Sequence, residues 1–140
     1  MSSANKDNAV AYIGAMFGGD VARMSANTTQ DFRWWFPPSG VKNHGLPSPL
    51  AGRDNAAKTL FELGGGSARD RSHTKVDVIH AVSEGDMVVL HLHVHARNRH
   101  GVPYDNRYVF IFRFDNDLIA DVWEFTDTTF ANEAFAAKSG

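Results

Sequence analysis

The chain has 140 residues, 43% of them hydrophobic, with a formal net charge of −2 and no cysteine. That is the length of one domain, 1–140, with enough apolar material for a core of its own, which excludes a disordered chain. The basic residues are scattered, which argues against a nucleic-acid surface, and the missing thiols exclude disulfide frameworks and thiolate metal centres.

In chain order, apolar residues at Ala9-Val10, Tyr12-Ile13 and Met16-Phe17 recur at three- and four-residue spacing and predict a helix over Lys6–Phe17. The pair Gly18-Gly19 stops it, and Asp20 is placed to cap a short second helix, Val21–Ala26. The aromatic run Asp31–Phe36 reads as a strand ended by Pro37-Pro38. Ser39–Gly52 carries two glycines and two prolines before Gly52 and reads as a surface loop. A third helix begins near Arg53-Asp54, with Ala57, Leu60, Phe61 and Leu63 on its apolar side, and Gly64-Gly65-Gly66 ends it. Four strands follow, His73–Val82, Met87–Arg97, Tyr104–Asp115 and Leu118–Asp127. They are separated by turns at 84–86, 99–103 and 115–117. A short helix over Thr129–Ala137 closes the chain. Helices first and a strand meander after is an α+β order.

No apolar run approaches the roughly 18 residues that span a bilayer. Residues 1–7 lack the apolar core of a signal peptide, so a cytoplasmic protein without membrane partners is expected.

Strand side chains alternate between two faces. One face of Met87–Arg97 carries Val88, Leu90, Leu92, Val94 and Ala96; the other carries His91, His93 and His95. Tyr104–Asp115 sets Asn106, Tyr108, Phe110, Phe112 and Phe114 against Arg107, Val109, Ile111 and Arg113. Leu118–Asp127 sets Val122, Glu124 and Thr126 against Asp121, Trp123 and Phe125. Neither side of such a sheet is fully polar. With helices on one face, an apolar patch of Val88, Leu90, Leu92, Val109, Ile111, Trp123 and Phe125 is expected on the other, and a homodimer packed sheet to sheet.

The strings 101–114, Gly-Val-Pro-Tyr-Asp-Asn-Arg-Tyr-Val-Phe-Ile-Phe-Arg-Phe, and 119–128, Ile-Ala-Asp-Val-Trp-Glu-Phe-Thr-Asp-Thr, resemble the last two strands of the nuclear-transport-factor-2-like (NTF2-like) superfamily. The likeness is to its SnoaL-like, ketosteroid-isomerase-like and limonene-epoxide-hydrolase-like branch. The early Trp-rich strand and the Gly52-Arg53-Asp54 helix entry are similar too. The resemblance implies a cystatin-like cone, with N-terminal helices on a strongly curved, mainly antiparallel sheet around one apolar pocket. It implies little about reaction, because this fold hosts many chemistries.

Laid without gaps on limonene epoxide hydrolase, the last strands place a catalytic carboxylate at Glu124 and its Arg-x-Asp pair at His91 and His93. The resemblance thus implies an inward histidine row beside Tyr108 and Asn106, with Trp35, His95, Tyr12, Met16, Leu60, Leu63 and Val122 as further binding residues. The expected catalytic set is His91, His93, Glu124 and Tyr108. Imidazole titrates near neutrality, and a desolvated carboxyl can be tuned toward it. Such a set suits a cofactor-independent isomerase, cyclase or hydrolase acting on a small apolar carbonyl-bearing or alicyclic compound. Two alternatives stand beside it. One is a binding domain without turnover. The other is a metal-dependent hydrolase in which His91 and His93, roughly 6.7 Å apart at Cα, chelate with Glu124.

Overall fold

The computed structural model describes residues 2–64, 66, 71–98 and 100–136. Expectations for Gly65, Arg99 and Ala137 lie outside the described residues. The order of elements is α1 (Ser2–Gly18), α2 (Val21–Ala26), β1 (Thr28–Trp35), α3 (Pro38–His44), β2 (Leu50–Ala51), α4 (Arg53–Leu63), β3 (Lys75–Glu84), β4 (Met87–Arg97), β5 (Pro103–Asp115), β6 (Leu118–Thr126) and α5 (Thr128–Ala136). The six strands form one open sheet in the order β2-β1-β6-β5-β4-β3. β1 and β6 run parallel, and every other neighbouring pair is antiparallel. This is the expected α+β architecture. Among the described residues no helix is long and apolar enough to cross a membrane.

Local chemistry explains the boundaries. Asp20 caps α2, its Oδ1 accepting from the Arg23 N–H at 3.1 Å. The β5–β6 hairpin turns through Asn116 and Asp117, both at positive φ (48° and 70°). Those two residue types tolerate this region when glycine is absent. The expected loop over Ser39–Gly52 is partly ordered instead. Pro38 sits in the first turn of α3, where its missing N–H costs nothing, and Gly45 ends that helix in the left-handed region at φ 63°. Leu50 and Ala51 then pair with Trp34 and Arg33 as the edge strand β2. Proline and glycine here punctuate a short helix rather than exclude one.

The core lies between the helices and one face of the sheet. Val88, Leu90, Leu92 and Val94 of β4, Phe110 and Phe112 of β5, Val122 of β6, and Phe32 and Trp34 of β1 are all buried there. Tyr12 of α1 meets Phe32, Trp34 and Phe112 at ring distances of 6.0, 6.4 and 6.4 Å. Register makes these residues share a face: Val88, Leu90 and Leu92 stand opposite Phe112, Phe110 and Tyr108, and Phe110 stands opposite Glu124.

The same register corrects the parity expected for β4. His91 and His93 stand opposite Val109 and Arg107, and His95 opposite Asp105, so the histidine row points to the other, open face. Val88, Leu90 and Leu92 are core residues and not part of an outer patch. β3 also breaks the expected alternation. A register shift between Val78 and His80 leaves Val76 and Val78 on the face of Val94 and Leu92, with His80 and Val82 on that of His91 and Val89.

The open face therefore carries Val82, Val89, Val109, Ile111, Phe125 and a Trp35–Trp123 stack (centroids 6.3 Å apart, planes within 7°). Val82 is 60% exposed and Phe125 45%. Beside Trp35, Asp121 is wholly buried and binds two guanidinium groups. Arg33 donates from Nε to Oδ1 at 2.7 Å, and Arg113 from Nε to Oδ2 at 2.8 Å.

Candidate active site

Glu124 lies on β6 with its side chain on the helix-covered face, because Trp34, Val122, Glu124 and Phe110 share that parity. Its Oε1 accepts from the Trp34 Nε1–H at 3.1 Å. The carboxyl is partly buried among rings. Desolvation pushes its pKa from 4.5 up to about 7, against the opposing pull of the Trp34 hydrogen bond. The group can therefore hold or release a proton near neutral pH.

A cavity of about 350 Å³ has Glu124 among its lining residues. The other walls are Trp35, Trp123 and Phe125 from the strands, Phe36 just beyond β1, and Pro38, Val41, Lys42 and Ser48 from α3 and the segment behind it. Here α3 is tied to α5: the Ser39 and Thr128 hydroxyls are 2.9 Å apart, and His44 Nε2 lies 3.1 Å from Asn132 Oδ1. The helix missed in the sequence thus forms one wall of the cavity. Asp127 starts α5 by accepting from the Phe130 N–H at 2.9 Å.

A second polar group sits on the same face of β5. The Tyr104 and Tyr108 hydroxyls are 2.7 Å apart, and Asn106 Nδ2 donates to the Tyr104 oxygen at 3.0 Å and to Thr126 Oγ1 at 3.0 Å. Burial raises Tyr108 well above its ordinary pKa, with the Tyr104 hydroxyl and the Glu124 charge adding to the rise. The phenol stays protonated and remains a donor. A carboxyl poised near neutrality beside apolar walls, with a protonated phenol on the adjoining strand, can move a proton and stabilise oxygen-centred charge.

The structure brings together Glu124, Tyr108, Asn106, Val122 and Tyr12 on the helix-covered face, with Met16 and Leu60 half-buried against that core. It separates from them His91, His93 and His95, which occupy the opposite face. His91 Nδ1 lies 3.1 Å from His80 Nδ1, and the His93 and His95 rings are 3.9 Å apart. A His91/His93/Glu124 acid–base or metal set is therefore not assembled within the chain. Trp35 is on the open face and lines the cavity of about 350 Å³, whereas Trp34 is on the inner face, bonded to Glu124. Leu63, 54% exposed, is no wall. Tyr104 was missed, although its alternation with Asn106 and Tyr108 was visible. A larger groove of about 510 Å³ runs over the open face past His91, His93, Arg107 and Val109.

The Trp34–Glu124 bond gives a direct prediction. Trp34→Phe keeps most of the ring and removes the donor that favours the ionised carboxylate. The Glu124 pKa should rise further, by about one unit, as read from the carboxyl resonance of ¹³C-labelled protein across pH.

Residues 9–122 match the SnoaL-like domain family, and the chain belongs to that family. The matched span ends two residues before Glu124. No curated protein gives a significant match. Among solved structures the chain is similar to a "Putative SnoaL-like polyketide cyclase" from Jannaschia sp. CCS1, at 18% identity and TM-score 0.78 over 99% of this chain and 96% of that one. It is also similar to TerC, co-crystallised with polyporic acid (16%, TM-score 0.76, 96% and 99%). A third similar structure is an NTF2-like protein of unknown function from Burkholderia pseudomallei K96243 (19%, TM-score 0.74, 98% and 100%). At these identities the likeness establishes the fold.

Proposed function

We propose that the chain is a cofactor-independent enzyme that moves protons on a small, largely apolar, carbonyl-bearing or alicyclic compound, as an isomerase, cyclase or hydrolase does. The observation that carries this reading is Glu124, whose carboxyl is raised to about 7 and which is among the residues lining a largely apolar cavity. As base, Glu124 takes a proton from the carbon beside a carbonyl. The C–H electron pair moves into the enolate, and the proton returns from Glu124 to carbon. The histidines have no part in this scheme. The names of the cyclase-like neighbour and of the polyporic-acid complex agree with a cyclic, oxygenated ligand.

The test is hydrogen–deuterium exchange followed by NMR. The protein is incubated in deuterated buffer with cyclic ketones and 1,3-diketones, and binding of these and of polyporic acid is followed by tryptophan fluorescence. Exchange beside a carbonyl with an inflection near neutral pH supports the proposal. Binding with exchange no faster than in buffer favours the second reading, a binding domain without turnover, for which the apolar walls alone suffice.

We also propose that the apolar half of the open face pairs with a second copy of the chain. Val82, Val89, Val109, Ile111 and Phe125 form a patch that is its own complement under a two-fold axis. Analytical ultracentrifugation should give a dimer, and the double variant Val89→Asp/Ile111→Asp a folded monomer. A wild-type monomer at micromolar concentration would overturn the pairing.

A further inference from the structure

We propose that the polar end of the open sheet face is a binding site for a divalent d-block cation of the zinc class. Its ligands are His93, His95 and Asp105, with Asp77 as the outer partner of His95. This inference does not depend on the function proposed for Glu124, which lies on the other face.

Three adjacent strands build the site. His93 and His95 are two residues apart on β4 and share a face. Asp105 of β5 stands opposite His95, and Asp77 of β3 stands opposite His93. One ligating atom from each of His93, His95 and Asp105 lies within 4.8 Å of the other two.

The hydrogen bonds around His95 point to a cation. Its Nε2 lies 3.0 Å from Asp77 Oδ2, and its Nδ1 lies 3.2 Å from Asp105 Oδ1. A neutral imidazole has one N–H. When that N–H serves Asp77, the Nδ1 lone pair faces a carboxylate oxygen, and the two electron-rich atoms need a positive charge between them. Either a second ring proton or a metal ion supplies it. With a metal, Asp77–His95–metal is the carboxylate–histidine–zinc arrangement, in which the outer carboxylate fixes the ring and strengthens the ligand.

Spacing and ligand type agree. Zinc bonds of about 2.0–2.1 Å put tetrahedral ligand atoms about 3.3 Å apart, close to the His95–Asp105 separation. His93 is half-buried and Asp105 exposed, and both can rotate to close the remainder. Two imidazoles and one carboxylate suit zinc, nickel or copper rather than magnesium or calcium. Lys75, 3.5 Å from Asp77, already balances the outer carboxylate. Ligand geometry, not acidic density, therefore carries the proposal. His93 and Asp105 also line the groove of about 510 Å³, which leaves the fourth coordination position open to water or a small anion.

The experiment uses untagged full-length protein freed of metal with chelator. Zinc is titrated by calorimetry, and cobalt(II) is added as a spectroscopic probe. The expected result is one equivalent of zinc, a four-coordinate cobalt spectrum, and a zinc-dependent rise in Tm. All three should be lost in His95→Ala and in Asp105→Asn. Asp77→Asn should weaken zinc binding about ten- to a hundredfold, as loss of such an outer partner does. Glu124→Gln should bind zinc as wild type does. Two variants guard against one that fails to fold. Zinc uptake by wild type no greater than by Asp105→Asn would overturn the proposal and leave His95 as a protonated bridge between two carboxylates. Uptake that survives both His95→Ala and Asp105→Asn would overturn it too.

Discussion

Glu124→Gln is expected to remove most of the proton-transfer activity and, at the same time, to make the protein more stable in alkaline solution. The first effect follows from the role of the group: a positioned general acid–base contributes about 10²- to 10⁴-fold, and an amide cannot replace it. The second follows from proton linkage. The folded carboxyl has its pKa raised from 4.5 to about 7 by burial. Below about 4.5 both folded and unfolded states are protonated, and the group costs nothing. Between 4.5 and about 7 the unfolded chain gives up its proton while the folded one keeps it, so stability falls as pH rises. Above about 7 the full cost has been reached. At 1.36 kcal/mol per pKa unit this is roughly 3 kcal/mol. Gln carries no such cost, and its carbonyl still accepts from the Trp34 N–H. Urea denaturation of both proteins at pH 5 and pH 8.5 decides the matter. The variant's gain on wild type should be small at pH 5 and near its full size at pH 8.5. A difference that ignores pH would mean a carboxyl that is not desolvated, and exchange activity surviving in the variant would remove Glu124 from the chemistry.

A stability cost of that size at a residue facing a cavity is what a working carboxyl requires and a purely structural position does not. Trp34 opposes the rise with one hydrogen bond, and the rings around it supply the desolvation. The two act in opposite directions on the same proton, which is how a carboxyl comes to titrate near neutrality rather than far above it.

Most of this architecture can be read from residue order. Apolar spacing located α1 and α4, the Asp20 cap located α2, and period-two alternation located β3 to β6. On β5 and β6 the alternation also gave the right faces, so Tyr108, Asn106, Val122 and Glu124 fall together as expected. β4 failed for an instructive reason. Its alternation is clean, valine and leucine against histidine, and burial alone would send the aliphatic row under the helices. The expected outer patch and the gapless resemblance to an epoxide hydrolase both turn the histidines inward instead. A one-residue slip reverses every side chain of a strand. The same slip sets Trp35 on the inner face. With two adjacent indoles, composition cannot choose a face; the parallel pairing to β6 does, setting Trp34 beside Val122 and Trp35 beside Trp123. The cavity wall made by α3 was hidden because Pro38 and Gly45, read as loop residues, are the start and end of a helix.

Asp121→Asn is expected to cost about 2–3 kcal/mol at neutral pH and to lose that penalty in acid. Asp121 is three residues before Glu124 on β6 and points to the opposite face. Although wholly buried, its environment is the reverse of Glu124's. Burial pulls its pKa up, but hydrogen bonds from Arg33, Arg113 and the Trp35 N–H outweigh this and hold it below the usual carboxylate value. A lowered pKa contributes stability above the unfolded value, and that contribution is lost as pH falls through the folded value. Asparagine removes the charge and turns an amide N–H toward guanidinium donors. Breaking a fully buried pair costs about 3–5 kcal/mol. The figure here is smaller because Arg33 and Arg113 are 47% and 38% exposed and regain water. Arg33 and Asp121 are also paired across the parallel β1–β6 ladder, one step before Trp34 meets Val122. Weakening that step should loosen the Trp34–Glu124 bond and shift the pH profile of exchange as well as the denaturation midpoint. Equal stability of Asp121→Asn and wild type at pH 7 would mean that the guanidinium contacts add nothing beyond what water supplies, and the register of β1 would then have to be set by the aromatic core alone.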